Sequence, residues 1–302
     1  MRGMCMTVSR ARFNEAYLAG DWVAAVNLGK GLVASGDYGD PSGQVPIRLA
    51  EAAFRLGQRY EAVWHADLAR QVVERGTPLE AAVMCNAAYY YRVHGAPGRA
   101  IEVGNLFLEH AGTSSGNGYA LRGMVLVHMA AAYEALQDLD NAITHYSEAI
   151  QSSQSLGNPA LAAMATVDLA HAELMRAREN SVEKCRAILE DVRQDQLDQR
   201  GLFAFYAVRG LLAEQMGKPT EAEEHATEAL RLADAIDEPL VHERGVLVLL
   251  RSRLAIHRGD RATGILFALD AAVNFESTND LELLGKCEEL LRSTISGLRA
   301  GR

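Results

Sequence analysis

A period of about 40 residues runs along this chain and leaves little freedom in what it can fold into. Its marker is a glycine or polar turn followed by a small residue. It recurs as Gly20-Asp21-Trp22 with Ala25, Gly57-Gln58-Arg59-Tyr60 with Ala62, Gly95-Ala96-Pro97 with Ala100 and Gln137-Asp138-Leu139 with Ala142. It continues as Arg178-Glu179-Asn180 with Val182, Gly217-Lys218-Pro219 with Ala222 and Gly259-Asp260-Arg261 with Gly264. Successive small residues stand 37, 38, 42, 40, 40 and 42 positions apart. Thr77-Pro78, Asn158-Pro159 and Glu238-Pro239 repeat the signal from the other end of the unit, their prolines 81 and 80 positions apart, two periods each time. Proline suits a first helical position because its missing N–H has no intrahelical partner there. Thr77 with Glu80 adds the spacing of a capping box.

Between these markers apolar residues recur with a helical period, as in Leu126, Met129, Ala130, Tyr133 and Leu136, then Ala142, Ile143, Tyr146, Ala149 and Ile150. Each period therefore predicts two helices, A and B, of about 14 to 18 residues joined by turns of two to four. The expected fold is all-α: a right-handed superhelical solenoid of about seven hairpins over 9–36, 44–76, 78–112, 118–157, 159–194, 198–236 and 239–277. A helix at 280–298, with Leu284, Cys287, Leu291 and Leu298 on one face, is expected to cap it. Breaks at 35–43, 112–118 and 152–158 are too short for domain linkers, so 1–302 is read as one domain.

No stretch approaches the roughly 18 apolar residues of a membrane span, and residues 1–9 lack the apolar core of a secretory signal, so a cytoplasmic protein away from membranes is expected. Cys5, Cys85, Cys185 and Cys287 lie about a hundred residues apart, a spacing that offers neither a disulfide framework nor a zinc motif. The net charge of −9 and the lack of a basic stripe argue against nucleic acid. Only Lys30, Lys184, Lys218 and Lys286 occur, so most positive charge is arginine, whose fork matches carboxylates.

Hairpins with small residues at these offsets resemble the tetratricopeptide repeat over roughly residues 9–276. In the fourth hairpin Leu126, Met129, Ala130 and Tyr133 fall at the family's helix A spacing, and Ala142 and Tyr146 at its helix B spacing. The fifth fits least, with Val182 and Arg186 at the helix B positions. The long period is similar to that of the sensor halves of bacterial transcription regulators and peptide-pheromone receptors. That resemblance implies protein or peptide binding on the concave face formed by helices A. It adds a second expectation, a ligand-gated regulator acting on a separate output protein, because the array fills the chain with no output module.

Aligning the hairpins places Arg10, Asn14 and Tyr17 on this face from the first, Arg48, Glu51 and Arg55 from the second, and Asn86, Tyr89 and Arg92 from the third. Four arginines against one glutamate predict a locally positive groove for an acidic or carboxylate-ended partner. Family members that clamp a C-terminal carboxylate use a basic residue and an asparagine spaced like Arg10 and Asn14, but the pattern breaks at Arg48, Ala82 and Asn86. His128, Asp168 and His171 continue the polar lining; with no fourth ligand they are read as groove residues rather than a metal site. Gly217-Lys218-Pro219-Thr220 and the 112–118 segment lack the composition of a phosphate loop and are read as turns. Cys85 is a groove candidate without a neighbouring base. No cofactor and no catalysis are expected, an enzyme at the His128 region being a third reading. Self-association through the last helix is a further expectation.

Overall fold

The computed structural model describes residues 2–111, 117–236, 240–278 and 280–299. Most of the 112–118 break, the Glu238-Pro239 helix start and the side chains of Cys5 and Leu298 lie outside what it describes. Fifteen α-helices and no strand occur among the described residues. They pair as α1 (Arg2–Leu18) with α2 (Trp22–Ala34), α3 (Gln44–Arg55) with α4 (Arg59–Val72), and α5 (Pro78–Val93) with α6 (Pro97–Leu106), which runs on into a π turn, Phe107–Ala111. There follow α7 (Asn117–Ala135) and α8 (Leu139–Ser155), α9 (Pro159–Met175) and α10 (Ser181–Glu190), α11 (Gln199–Gln215) and α12 (Pro219–Ala233), α13 (Val241–His257) and α14 (Arg261–Thr278), then α15 (Leu281–Arg299). This is the all-α array of seven hairpins and a terminal helix that the period requires. The first helix begins at Arg2, well before residue 9, since the leading residues hold no proline to stop it.

Side-chain caps fix where these helices start. Asp21 accepts from Ala24 N at 3.1 Å, Asp198 from Gly201 N at 2.8 Å, Asp260 from Thr263 N at 3.2 Å and Asp280 from Leu283 N at 3.0 Å, each satisfying a donor the helix cannot. Thr77 Oγ1 accepts from Glu80 N at 3.2 Å, while the Glu80 carboxylate reaches past the cap to Gly76 N at 2.6 Å. The hairpin turns need one left-handed residue. Glycine supplies it at Gly20, Gly57, Gly95, Gly217 and Gly259, but in the fourth hairpin Gln137 adopts φ 60° with a side chain attached.

The chain forms two compact units, Met1–Ala165 and Thr166–Arg302, the division falling within α9. In the first, Phe13, Leu32, Leu49, Val83, Tyr91 and Val103 pack around Ala25, Ala53, Ala62, Ala66, Ala87 and Ala100. Burying one such Leu or Phe contributes about 1.5–3 kcal/mol. Small residues are required because the helices approach closely: a Cβ on Gly29 would stand 2.9 Å from Phe13 and 3.0 Å from Leu49. In the second unit Ala222, Ala226 and Ala229 meet Phe203, Leu247, Leu250 and Leu254.

The fifth hairpin departs from the sequence frame. Ser181, Cys185 and Leu189 are its buried helix B residues and Arg186 is exposed; its turn holds two left-handed residues, Ala177 and Asn180, and α10 starts after the second. At the C-terminal end, Leu283, Leu284, Cys287 and Leu290 of α15 cover Val248, Leu249, Ala271 and Phe275.

A chain ending at Thr278 uncovers those four side chains, so it is expected to aggregate or to lose cooperative melting of α13 and α14, measured by calorimetry and light scattering. If it stays equally stable and only passes from dimer to monomer, α15 is a dimerisation element instead. Gln137→Gly is expected to raise stability by about 0.5–1 kcal/mol in urea melts, relief of the left-handed strain exceeding the added chain entropy.

Candidate functional site

Residues 34 apart on successive helices A become neighbours, and the polar face of the first unit is built from that register. Arg48 Nη1 donates to Asn14 Oδ1 at 2.7 Å. The Tyr17 hydroxyl donates to Glu51, and burial together with that carboxylate raises the phenol well above its ordinary range, so it stays a donor. Arg55 lies 3.7 Å from Glu51. Farther along, Phe54 meets Tyr89 edge-on with ring centroids 5.3 Å apart, and Tyr89 meets the His128 ring, also at 5.3 Å. A continuous strip therefore runs over α1, α3, α5 and α7, and ten of the residues singled out in the sequence lie along it or beside it.

Each strip arginine except Arg10 lies over a ring: Arg48 over Tyr17 at 5.1 Å, Arg55 over Trp22 at 6.0 Å and Arg92 over Tyr89 at 5.4 Å. Stacking holds the guanidinium flat while leaving its N–H edge for an in-plane partner, and it lowers the entropy lost on binding.

The four arginines are not equivalent. Arg10 is taken up by Asp37, a buried carboxylate in the α2–α3 connection, which Arg10 Nε approaches at 3.2 Å and Nη2 more closely still. Asp37 also caps Gly39 N at 3.1 Å. With Arg10 on Asp37 and the Asn14 carbonyl oxygen on Arg48, the clamp-like pair is turned toward the chain's own groups. Glu51 offsets Arg55. Arg48 and Arg92 have no carboxylate partner among the described residues, and Arg92 Nε, screened from solvent, has no acceptor. The positive groove thus reduces to two stacked arginines about one hairpin apart, with exposed Asn86 six residues before Arg92 on α5.

Asp168 and His171 are half-buried on α9 and belong to the second unit. Among the described residues no group of three His, Cys, Asp or Glu side chains is placed to hold a metal. Cys85 does not face the groove: it is buried with Ala81, Phe107, Val125 and Met129, and burial pushes its thiol up to about 12, where it is an unreactive hydrophobe. Cys185 is likewise pushed up to about 12 by burial, then by Glu173. Sequence alignment missed Asp37, Trp22 and Phe54. Phe54 carried a signal, one position short of Arg55 and 35 before Tyr89, whereas Asp37 sits in a turn that no repeat register predicts.

The tetratricopeptide-repeat family model matches residues 125–155, the fourth hairpin. No protein of curated function matches the sequence. Among solved structures, a tetratricopeptide repeat protein from Parabacteroides merdae is 17% identical with a TM-score of 0.64, over 96% of this chain and 98% of that one. The apo form of RapI is 12% identical with a TM-score of 0.58, and a Rap protein complexed with Competence and Sporulation Factor is 13% identical with a TM-score of 0.53; both alignments cover 100% of this chain and 89% of theirs. The fold is that of tetratricopeptide-repeat proteins.

Arg10→Ala is expected to lower folding stability by about 2 kcal/mol, because it strands a buried carboxylate, while changing the affinity of the folded protein for a partner less than about twofold. Urea melts and a titration at matched folded fraction separate the two effects.

Proposed function

We propose that the chain is a non-catalytic scaffold whose seven hairpins act as one array and whose helix A strip, from Arg10 to His128, holds a peptide or protein segment that is acidic or carboxylate-ended. The observation that carries this reading is the pair Arg48 and Arg92, both stacked on tyrosines and neither matched by a carboxylate among the described residues. Arg48 spends one N–H on Asn14, and of the two only Arg92 has a screened donor without an acceptor, its Nε; a carboxylate ligand would complete both guanidinium groups. Asn14, Tyr17, Glu51, Arg55, Asn86 and Tyr89 supply the hydrogen bonds and flat area around them, and Arg10 props the strip through Asp37. Asp168 and His171, in the second unit, are proposed as partner-binding residues there. Nucleic acid is a poor fit, since the strip's other arginines are already offset by Asp37 and Glu51. No helix is long and apolar enough to cross a membrane among the described residues. The proposed setting is the cytoplasm.

A second reading is favoured by the likeness to a Rap protein complexed with Competence and Sporulation Factor: occupancy of the strip regulates a separate output protein. In that case one extract yields two partners, and adding the smaller changes capture of the larger.

The partner is obtained by capture from native extract and mass spectrometry, then titrated. Each arginine in an open groove contributes about 1 kcal/mol, so Arg48→Ala or Arg92→Ala is expected to weaken binding about fivefold and the double variant about thirtyfold, with affinity falling as salt rises. Wild-type affinity in the double variant at low salt overturns the reading.

A further inference from the structure

A cavity of about 440 Å³ lies apart from the strip, where the second hairpin meets the third. The end of α4 and the following turn contribute Arg70, Val73, Arg75 and Gly76; α5 contributes Glu80 and Met84. Leu106 and the π turn add Leu106, Glu109 and His110. Its size is that of a small-molecule site. π turns are rare, and where they occur they often mark functional positions.

The charges around it divide cleanly. Glu80 is occupied as a cap, with Gly76 N on its carboxylate at 2.6 Å. Arg70 is engaged through Nη1 by Tyr91, whose hydroxyl it approaches at 3.2 Å, and by Asp67 at 3.6 Å, while its Nε, screened from solvent, has no acceptor. Arg75 and Glu109, by contrast, are exposed and make no ion pair among the described residues. One wall is apolar, from Val73, Met84 and Leu106. His110 is engaged elsewhere, so the cavity offers Arg75 as a solvent-open cation, Glu109 as an open carboxylate and an apolar wall.

We propose that this cavity binds a small zwitterion with an apolar side chain, a free aliphatic amino acid or a short peptide of such residues. Arg75 takes the carboxylate, Glu109 takes the ammonium, and Val73, Met84 and Leu106 take the side chain. A carboxylate alone or an amine alone leaves one of the two charges without its complement. Independent of the strip, the site places a metabolite-sized ligand between two hairpins that must stay in register for a partner to bind.

The test uses the full chain with methyl-labelled methionine, Met84→Leu assigning the Met84 signal. L-leucine is expected to shift that signal with a dissociation constant on the order of millimolar, as befits so small a ligand in an open site. Arg75→Gln and Glu109→Gln, both surface changes, are each expected to weaken leucine about fivefold. 4-Methylpentanoate, which lacks the ammonium, is expected to bind more weakly than leucine and to ignore Glu109→Gln; leucine methyl ester, which lacks the carboxylate, is expected to ignore Arg75→Gln. Leucyl-leucine binding more tightly than leucine identifies a peptide as the ligand, and the reverse a free amino acid. No Met84 shift at about 20 mM leucine or leucyl-leucine, well above that constant, or leucine binding indifferent to both substitutions, overturns the proposal. Arg92→Ala leaves this site unchanged, so its outcome stands apart from that of the strip.

Discussion

A helix hairpin cannot bury its apolar face by itself, and everything else in this molecule follows from how its neighbours supply the missing cover. The helices approach closely only where side chains are small. Ala25, Ala62, Ala100, Ala142 and Ala222 are buried at the equivalent point of five hairpins, and Gly29 and Gly264 let helix B settle where a Cβ would collide. That same approach forces register. Once α1, α3 and α5 are locked at hairpin spacing, any polar residues on their remaining face must stand side by side. The strip of Asn14 with Arg48 and Tyr17 with Glu51 is a consequence of core packing, not a separate device.

Register also decides which charges are left for a partner. A carboxylate buried beside the array needs a cation, and Arg10 is consumed by Asp37 in supplying one. Glu51 accepts from Tyr17 and lies near Arg55, a partly screened arrangement that orders the strip more than it stabilises it. Arg48 and Arg92, resting on tyrosine faces, are what internal pairing leaves over. On the proposed reading, selectivity for an acidic segment rests on two residues rather than on a general positive field, which a chain of net charge −9 does not provide.

The fold was legible in the sequence because period, turn glycines and caps are local signals that agree with one another. Asp21, Thr77, Asp138 and Asn158 could each be read as a helix start, and each accepts a backbone N–H in the structure. The fifth hairpin was misframed because its turn holds two left-handed residues, Ala177 and Asn180, neither of them glycine, so Val182 was taken for the buried position that Ser181 holds. The site was legible as a face but not as a charge pattern. Helical spacing says which residues share a face; it does not say that Asp37, in a turn 27 residues from Arg10, will neutralise it. The π turn after α6 had no sequence mark; its first residue, Phe107, is buried with Val125 and Met129.

The central claim is that partners are held on the helix A strip and not on the outer face made by helices B. Asn86 is exposed on α5 within the strip, and Trp64, half exposed on α4, is a surface residue of the other face. A photocrosslinking amino acid placed at either position in the full chain, irradiated in native extract, tests this directly. The account predicts a discrete crosslinked partner from position 86 that fades with added salt, and none from position 64. The same partner crosslinked from position 64 alone would contradict it and move the binding surface to the helix B face.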